Sequence, residues 1–245
     1  MSGWPEGTER IILETVDSTM LEAARQTASP PFWVLSYDQT AGRGRRGRAW
    51  GMPMGNFAAS LVLEPEGPVN DWALRSFTMS LALREAFDAL TGRGDLFTLK
   101  WPNDVLCQGR KIAGILLESD QRRLTIGVGV NLVAHPEQAV LDEHALEPTN
   151  LLEATGQRIA PEPLLDALAD AHGRWETLLA EAGFGPVRTA WLAHAANIGR
   201  EVTARMPGRV ITGHFRKVDA AGACVLDTPT GPHVLAAADL HFARS

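Results

Sequence analysis

Apolar residues along this chain recur at two spacings, every second position over short runs and at helical intervals over longer ones. Strand character is read over residues 10–16, 32–38, 56–63, 96–101, 105–107, 111–118 and 122–133, where β-branched and aromatic residues sit between turn formers. Helical character is read over 20–26, 69–90, 164–182 and 187–195. In the second of these, Trp72, Leu74, Phe77, Leu81, Leu83, Phe87 and Leu90 form a stripe that reads as core. Thr19 and Glu22 have capping-box spacing at the start of the first helix. Residues 134–160, rich in Pro, Glu and Asn, read as surface loops with one short helix near Leu151. Beyond Asn197 the texture changes to evenly spaced β runs at 201–205, 210–215, 223–226 and 233–235, parted by turns at Pro207-Gly208, Ala221-Gly222 and Thr230-Gly-Pro232. Such short runs predict a small β-barrel. The expected organisation is therefore α+β, with a large domain over 1–196 and a small one over 197–245.

Composition narrows the classes of partner. The 23 Lys and Arg against 29 Asp and Glu give a net charge of −6, which argues against an extended nucleic-acid-binding face. The two cysteines, Cys107 and Cys224, are far apart in sequence and predict no disulfide framework, so a reducing compartment, the cytoplasm, is expected. The N-terminus lacks the charged and apolar segments of a secretory signal, and no apolar stretch is long enough to span a bilayer. The 7 histidines are scattered without the spacing of a zinc site, and neither a phosphate-binding P-loop nor a Gly-x-Ser-x-Gly elbow is present.

Against that acidic background stands Gln39-Thr-Ala-Gly-Arg-Gly-Arg-Arg-Gly-Arg-Ala-Trp50. Its glycines disfavour both helix and strand, which predicts a loop able to approach a ligand closely. Arg43, Arg45, Arg46 and Arg48 stay charged at any working pH and can grip carboxylate or phosphate two-pronged. The same letters fit the dinucleotide fingerprint Gly-x-Gly-x-x-Gly, but residues 49–55 cannot open the long helix that motif requires. A basic run can also be a solvated face or a nucleic-acid contact. Three further features have two readings each. Ser18 and Thr19 either cap a helix or offer hydroxyls to a polar ligand. Asn103 and Asp104 are turn formers, or an amide and a carboxylate placed for phosphate, Mg²⁺ or an incoming amine. Lys111 is a snorkelling edge lysine or a ligand contact, and Asn131 is a satisfied core amide or a ligand contact. Gly127 and Gly129 thin their strand and would admit a close neighbour.

Four stretches stand in one order: Asp17-Ser-Thr19, the arginine run 39–50, Lys100-Trp-Pro-Asn-Asp104, and Lys111-Ile-Ala-Gly-Ile115 followed by Gly127-Val-Gly-Val-Asn131. Together they resemble the biotin protein ligase family, across residues 10–133, and the C-terminal β region extends the likeness to the whole chain. The resemblance implies a class II synthetase-like catalytic fold, a mixed or antiparallel sheet with flanking helices, followed by an SH3-like barrel. It implies activation of biotin by ATP with Mg²⁺ to biotinyl-5′-adenylate, then transfer to a lysine of a biotin carboxyl carrier domain. By that likeness Ser18, Thr19, Met20, Gln39, Arg43, Gly44 and Arg45 line the biotin pocket. Arg48, Trp50, Asn103 and Asn131 serve ATP. Lys111 bridges the biotin carboxylate and α-phosphate, Arg45 retains the adenylate, and Asp104 orients the acceptor lysine. No side-chain metal cluster is expected, Mg²⁺ being held mainly by ATP. Met20 departs from the small polar residue of many members. The first strand begins near residue 10, which leaves no room for the N-terminal DNA-binding domain of some members, so a monofunctional type is expected. Competing readings are a lipoate or octanoate ligase or transferase on the same fold, and a non-catalytic biotin sensor. Which carboxylase supplies the acceptor, and whether the chain is a monomer or homodimer, stay open.

Overall fold

The structure, a computed structural model, describes residues 3–120, 122–137, 145–236 and 238–242. The expected turn residue Gln121 and the 138–144 part of the expected loop region lie outside them. Strands β1 (Glu9–Val16), β2 (Phe32–Gln39), β3 (Phe57–Leu63), β4 (Phe97–Lys100), β5 (Asp104–Cys107), β6 (Arg110–Ser119) and β7 (Leu124–Val130) form one sheet in the order β1-β2-β3-β7-β6-β5-β4. β1 and β2 run parallel and the other neighbours antiparallel, so the sheet is mixed, as expected.

Helices cover both faces. α1 (Thr19–Arg25) packs on β2, β3 and β7 from one side. From the other side α2 (Arg75–Thr91) packs on the sheet and against α4 (Pro161–Ala182), which also contacts α5 (Phe184–Ala193). α3 (Leu151–Thr155) is the short helix expected near Leu151. Strand β2 shows why both faces need cover. Phe32 and Val34 join Ala23 of α1 in one apolar cluster, while Trp33 and Leu35 join Phe77, Leu81 and Leu83 of α2 in the main core. Period-two alternation with apolar residues at every position yields a strand buried on both sides.

Two local expectations are corrected. Helix α1 begins at Thr19 with Ser18 as its N-cap, and no capping box forms. The Thr19 backbone N–H and hydroxyl both donate to Gln39 Oε1, and Glu22 accepts from Arg25 and Gln26 instead. A tertiary partner on β2 thus wins over the local cap. The helical stretch expected over 69–90 is divided, a 3₁₀ segment (Val69–Leu74) leading into α2, which stops at Gly92 in the left-handed region (φ 66°).

The C-terminal strands β8 (Glu201–Met206), β9 (Arg209–Val218), β10 (Cys224–Thr228), β11 (Gly231–Leu235) and β12 (Asp239–Phe242) form a second, antiparallel sheet in the order β11-β10-β9-β8-β12. It has the make-up of a small SH3-like unit. β12 went unread in the sequence, because a four-residue strand after Ala-rich chain carries no periodic signal. Val202, Phe215 and Leu226 share one buried cluster with Phe77 and Trp101, and Trp101 Nε1 donates to Gly222 O at 3.0 Å. The two sheets are therefore joined through apolar core. No helix among the described residues is long and apolar enough to cross a membrane.

Candidate active site

Strand register lays out the floor of the site. Ala58 of β3, Gly129 of β7, Gly114 of β6 and Asp104 of β5 stand in one row across the sheet, and Lys100 of β4 pairs with Asp104 to extend it. The neighbouring row on the same face is Ser60, Gly127 and Leu116. On the opposite pleat Ile115, Ile126 and Val128 enter the core. The middle of the α1 face is thus made of the smallest side chains, and a cavity of about 550 Å³ opens above it. That volume suits a small-molecule site. Two glycines are there for close approach. A Cβ at Gly129 would lie 2.4 Å from Trp50 Cε2, and one at Gly127 would lie 2.6 Å from Met20 Sδ. The Trp50 indole therefore rests on β7 at one end, and Met20 seals the other.

Lys111 reaches this floor because of a bulge. The β5–β6 register shifts between Val105 and Leu106, which pair with Ala113 and Lys111, leaving Ile112 as the extra residue. Strict alternation from Gly114 would turn Lys111 toward the core. With the bulge, Ile112 is buried there instead and Lys111 faces the cavity. Its Nζ lies 2.7 Å from Asp104 Oδ1 and 5.7 Å from the Trp50 ring centroid.

Asp104 is the electrostatic centre of the charged end. Lys100 Nζ approaches its Oδ2 at 3.4 Å, and both residues are buried. Burial pushes the Asp104 carboxyl up, but Lys111 and Lys100 outweigh burial and hold it below the ordinary carboxylate range. For Lys100, burial pulls the ammonium pKa down more than Asp104 raises it, and nearby Lys111 lowers it further. Asp104 is thus ionised between two lysines.

The arginine run folds over the cavity as predicted, as a short hairpin-like loop. Gly44 N donates to Arg48 O (2.7 Å), Trp50 N to Gly42 O (2.9 Å), and Arg43 bridges Ala49. Arg45 Nη1 is shared between Asn103 Oδ1 and Asp239 Oδ1, each at 3.2 Å. Arg43 Nη2 lies 3.7 Å from Glu118. At the sealed end Ser18 and Thr19 are buried, with Thr19 fixed by Gln39 and by Ser60, whose Oγ donates to Thr19 Oγ1 at 2.9 Å. The adjoining Asp17 carboxyl is held down at about 2 by its Arg25 partner and the Ser18 N–H. Asn131 Nδ2 donates to Thr149 O (3.0 Å), which ties β7 to the cavity-lining segment at Pro148.

All of Ser18, Thr19, Met20, Gln39, Arg43, Gly44, Arg45, Arg48, Trp50, Asn103, Asp104, Lys111 and Asn131 line this one cavity. Sequence reading did not put Lys100, Gly114, Leu116, Pro148 or Asp239 among the site residues. The period-two run of small residues at Gly127 and Gly129 signalled part of the floor. For Asp239, on a strand of the second sheet, no local signal exists. Among the described residues no group of three or more His, Cys, Asp and Glu could hold a metal. The cavity carboxylates, Asp104 and Asp239, are already neutralised by lysines and arginines, which does not suit a resident metal ion.

Residues 12–132 match the Biotin/lipoate A/B protein ligase family, and residues 198–239 match the Biotin protein ligase C terminal domain. A biotin–[acetyl-CoA-carboxylase] ligase of Paracoccus denitrificans is 42% identical over 238 residues, covering 94% of this chain and 99% of the relative. The chain belongs to the biotin protein ligase family. It is an enzyme of the ligase class, and its mixed sheet with a C-terminal five-stranded unit is the biotin protein ligase fold. The biotin–[acetyl-CoA-carboxylase] ligase of Mycobacterium tuberculosis is 31% identical, covering 86% of this chain and 79% of the relative. Among solved structures, a biotin protein ligase from Aquifex aeolicus in complex with biotin and ATP superposes with a TM-score of 0.83 at 26% identity, covering 97% of this chain and 99% of the other.

Proposed function

We propose that this ligase joins biotin to AMP in the cavity above Gly114, Gly127 and Gly129, and then passes the biotinyl group to a lysine of a biotin carboxyl carrier domain. In the first step a carboxylate oxygen of biotin bonds to the α-phosphorus of ATP, the bridging P–O bond breaks, and pyrophosphate leaves. In the second, the uncharged acceptor amine attacks the acyl carbon, a C–N bond forms, the C–O bond to phosphate breaks, AMP leaves, and the nitrogen gives up one proton to solvent. The observation that carries the reading is the convergence of Lys111, Arg43, Arg45 and Arg48 on one cavity floored by glycine. Two anions must meet there against their repulsion, and fixed cations in a partly dry site stabilise the charge that builds at phosphorus.

The division of the cavity supports the residue roles. Ser18, Thr19, Met20 and Gln39 surround the sealed end, which suits the biotin ring system, with Arg43, Gly44 and Arg45 closing over its chain. Trp50, packed against Gly129, offers a face for adenine, and Arg48, Asn103 and Asn131 complete the ATP side. Lys111, between the halves, neutralises both the biotin carboxylate and the α-phosphate. Once Lys111 turns to those anions, ionised Asp104 is free to accept a hydrogen bond from the acceptor lysine and orient it. An ordinary lysine, with a pKa of about 10.4, needs such help at neutral pH. Mg²⁺ enters with ATP as the counterion of its phosphates. A nucleic-acid partner forms no part of this reading, given the net charge of −6. The cytoplasm is the proposed location, in keeping with two free, buried cysteines.

The test is incubation of the chain with biotin, ATP, Mg²⁺ and a biotin carboxyl carrier domain. One biotinyl group per carrier by intact mass, with pyrophosphate released, is the expected result. No mass gain with biotin, or equal gain when lipoate replaces it, refutes the reading.

A further inference from the structure

The second sheet reaches the cavity through β12, whose Asp239, Leu240 and His241 are among its lining residues. Asp239, the first residue of β12, places its carboxylate among three arginines of the loop. Oδ1 accepts from Arg45 Nη1 at 3.2 Å, Oδ2 accepts from Arg46 Nη1 at 2.6 Å, and Arg48 Nη2 lies 3.7 Å from Oδ2. Resting on the functional reading above, we propose that Asp239 is a positioning residue of the ligase reaction. It gathers the arginine loop over the cavity, so that the C-terminal sheet holds the lid on the activated intermediate.

Three observations carry this. First, like charges crowded into Arg45, Arg46 and Arg48 repel one another, and the Asp239 carboxylate, within reach of all three, offsets part of that repulsion. Second, Arg45 is shared between Asn103 on the cavity wall and Asp239, so one guanidinium ties loop, wall and C-terminal sheet together. Third, Arg46 is not among the residues lining the cavity, yet it makes the shortest of the three contacts. Its backbone is left-handed (φ 58°, ψ 29°), a conformation unfavourable for a residue with a side chain. An arginine held in that backbone conformation, and not itself lining the cavity, is accounted for by its hold on Asp239.

The experiment uses the full-length chain with Asp239→Asn, which keeps shape and removes charge, and Arg46→Ala, which leaves the C-terminal sheet untouched. Without substrate, limited trypsin digestion at Arg43, Arg45 and Arg48 is expected to quicken about tenfold in each variant, with the thermal midpoint unchanged. With substrates, each is expected to release free biotinyl-adenylate about tenfold faster and to show a raised KM for ATP, with kcat lowered less than threefold. The double variant is expected to be no worse than Asp239→Asn alone, because Arg46 acts through Asp239. Asp239→Glu should restore most of the retention. Wild-type cleavage and retention in Asp239→Asn, or fully additive effects in the double variant, overturn the proposal. If wild type forms no adenylate, the functional reading fails instead, while the substrate-free digestion still reports on Asp239.

Discussion

Lys111 and Arg45 carry opposite duties in the proposed chemistry, and single substitutions separate them. The Lys111 ammonium stands 2.7 Å from Asp104 and beside Trp50, between the two halves of the cavity. Replacing it with alanine removes a fixed cation from the point where charge builds, a loss of about 10²–10³-fold in rate by comparison with other preorganised donors. Lys111→Ala should therefore nearly abolish biotin-dependent pyrophosphate exchange, while Lys100 keeps Asp104 paired and the fold intact. Exchange at the wild-type rate would show that Lys111 has another job. Arg45 acts after activation, as part of the lid. Arg45→Gly should still form the adenylate but lose it to solvent, so that lysines on bystander proteins become labelled. Labelling confined to the carrier domain would refute that role.

At the scale of elements, β7 and the α2–α4 pair make separate demands. Gly129 lets Trp50 lie on the strand. Gly129→Ala places a methyl group 2.4 Å from the indole, which must lift. Displacement of this kind costs about 1–3 kcal/mol, enough to raise the KM for ATP by about fivefold to 150-fold. An unchanged KM would mean that the indole does not meet the nucleotide. Helix α4 carries His172, wholly buried against Trp33, with no hydrogen-bond partner for Nε2 among the described residues. Burial, aided by Arg75, pulls its pKa down to about 3. The folded state therefore keeps the ring neutral, whereas the unfolded chain protonates it near 6.5. Stability from this residue is complete above pH 6.5 and is lost progressively as pH falls toward 3. Between pH 7.5 and 5 the loss amounts to about 2 kcal/mol. Urea titrations of wild type and His172→Gln at both pH values should show a steeper loss in wild type, with a smaller residual slope in the variant from His194, whose pKa burial also lowers. Equal slopes would place the acid sensitivity elsewhere.

For the whole molecule, the question is whether two sheets behave as one unit. Val202, Phe215 and Leu226 share buried core with Phe77 and Trp101, and Trp101 is tied to Gly222. All 7 tryptophans lie before residue 192, whereas Cys224, fully buried with its thiol pushed up to about 12, lies in the second sheet. Tryptophan fluorescence, with six of the 7 indoles away from the Trp101–Gly222 contact, is weighted to the first sheet and its helices, and thiol labelling of Cys224 reports on the second. Shared core predicts that the two probes trace one urea transition. Labelling of Cys224 well before the fluorescence change would show that the second sheet opens alone.

Read as letters, the chain determined what is local. Apolar spacing placed most strands and helices, because period depends only on near neighbours. The glycine-arginine run declared a loop that grips anions, because charge and backbone freedom belong to residue types. Resemblance to a family then named the chemistry. Tertiary structure decided what depends on register and on distant partners. Lys111 faces the cavity through a bulge at Ile112 that no apolar pattern announces. Thr19 gives up a local cap for Gln39 on the next strand. Arg45 meets a carboxylate 194 positions away, a pairing that only the return of β12 beside β8 makes possible. Sequence specifies which groups the chain carries, and the three-dimensional packing of strands alone determines which of them meet.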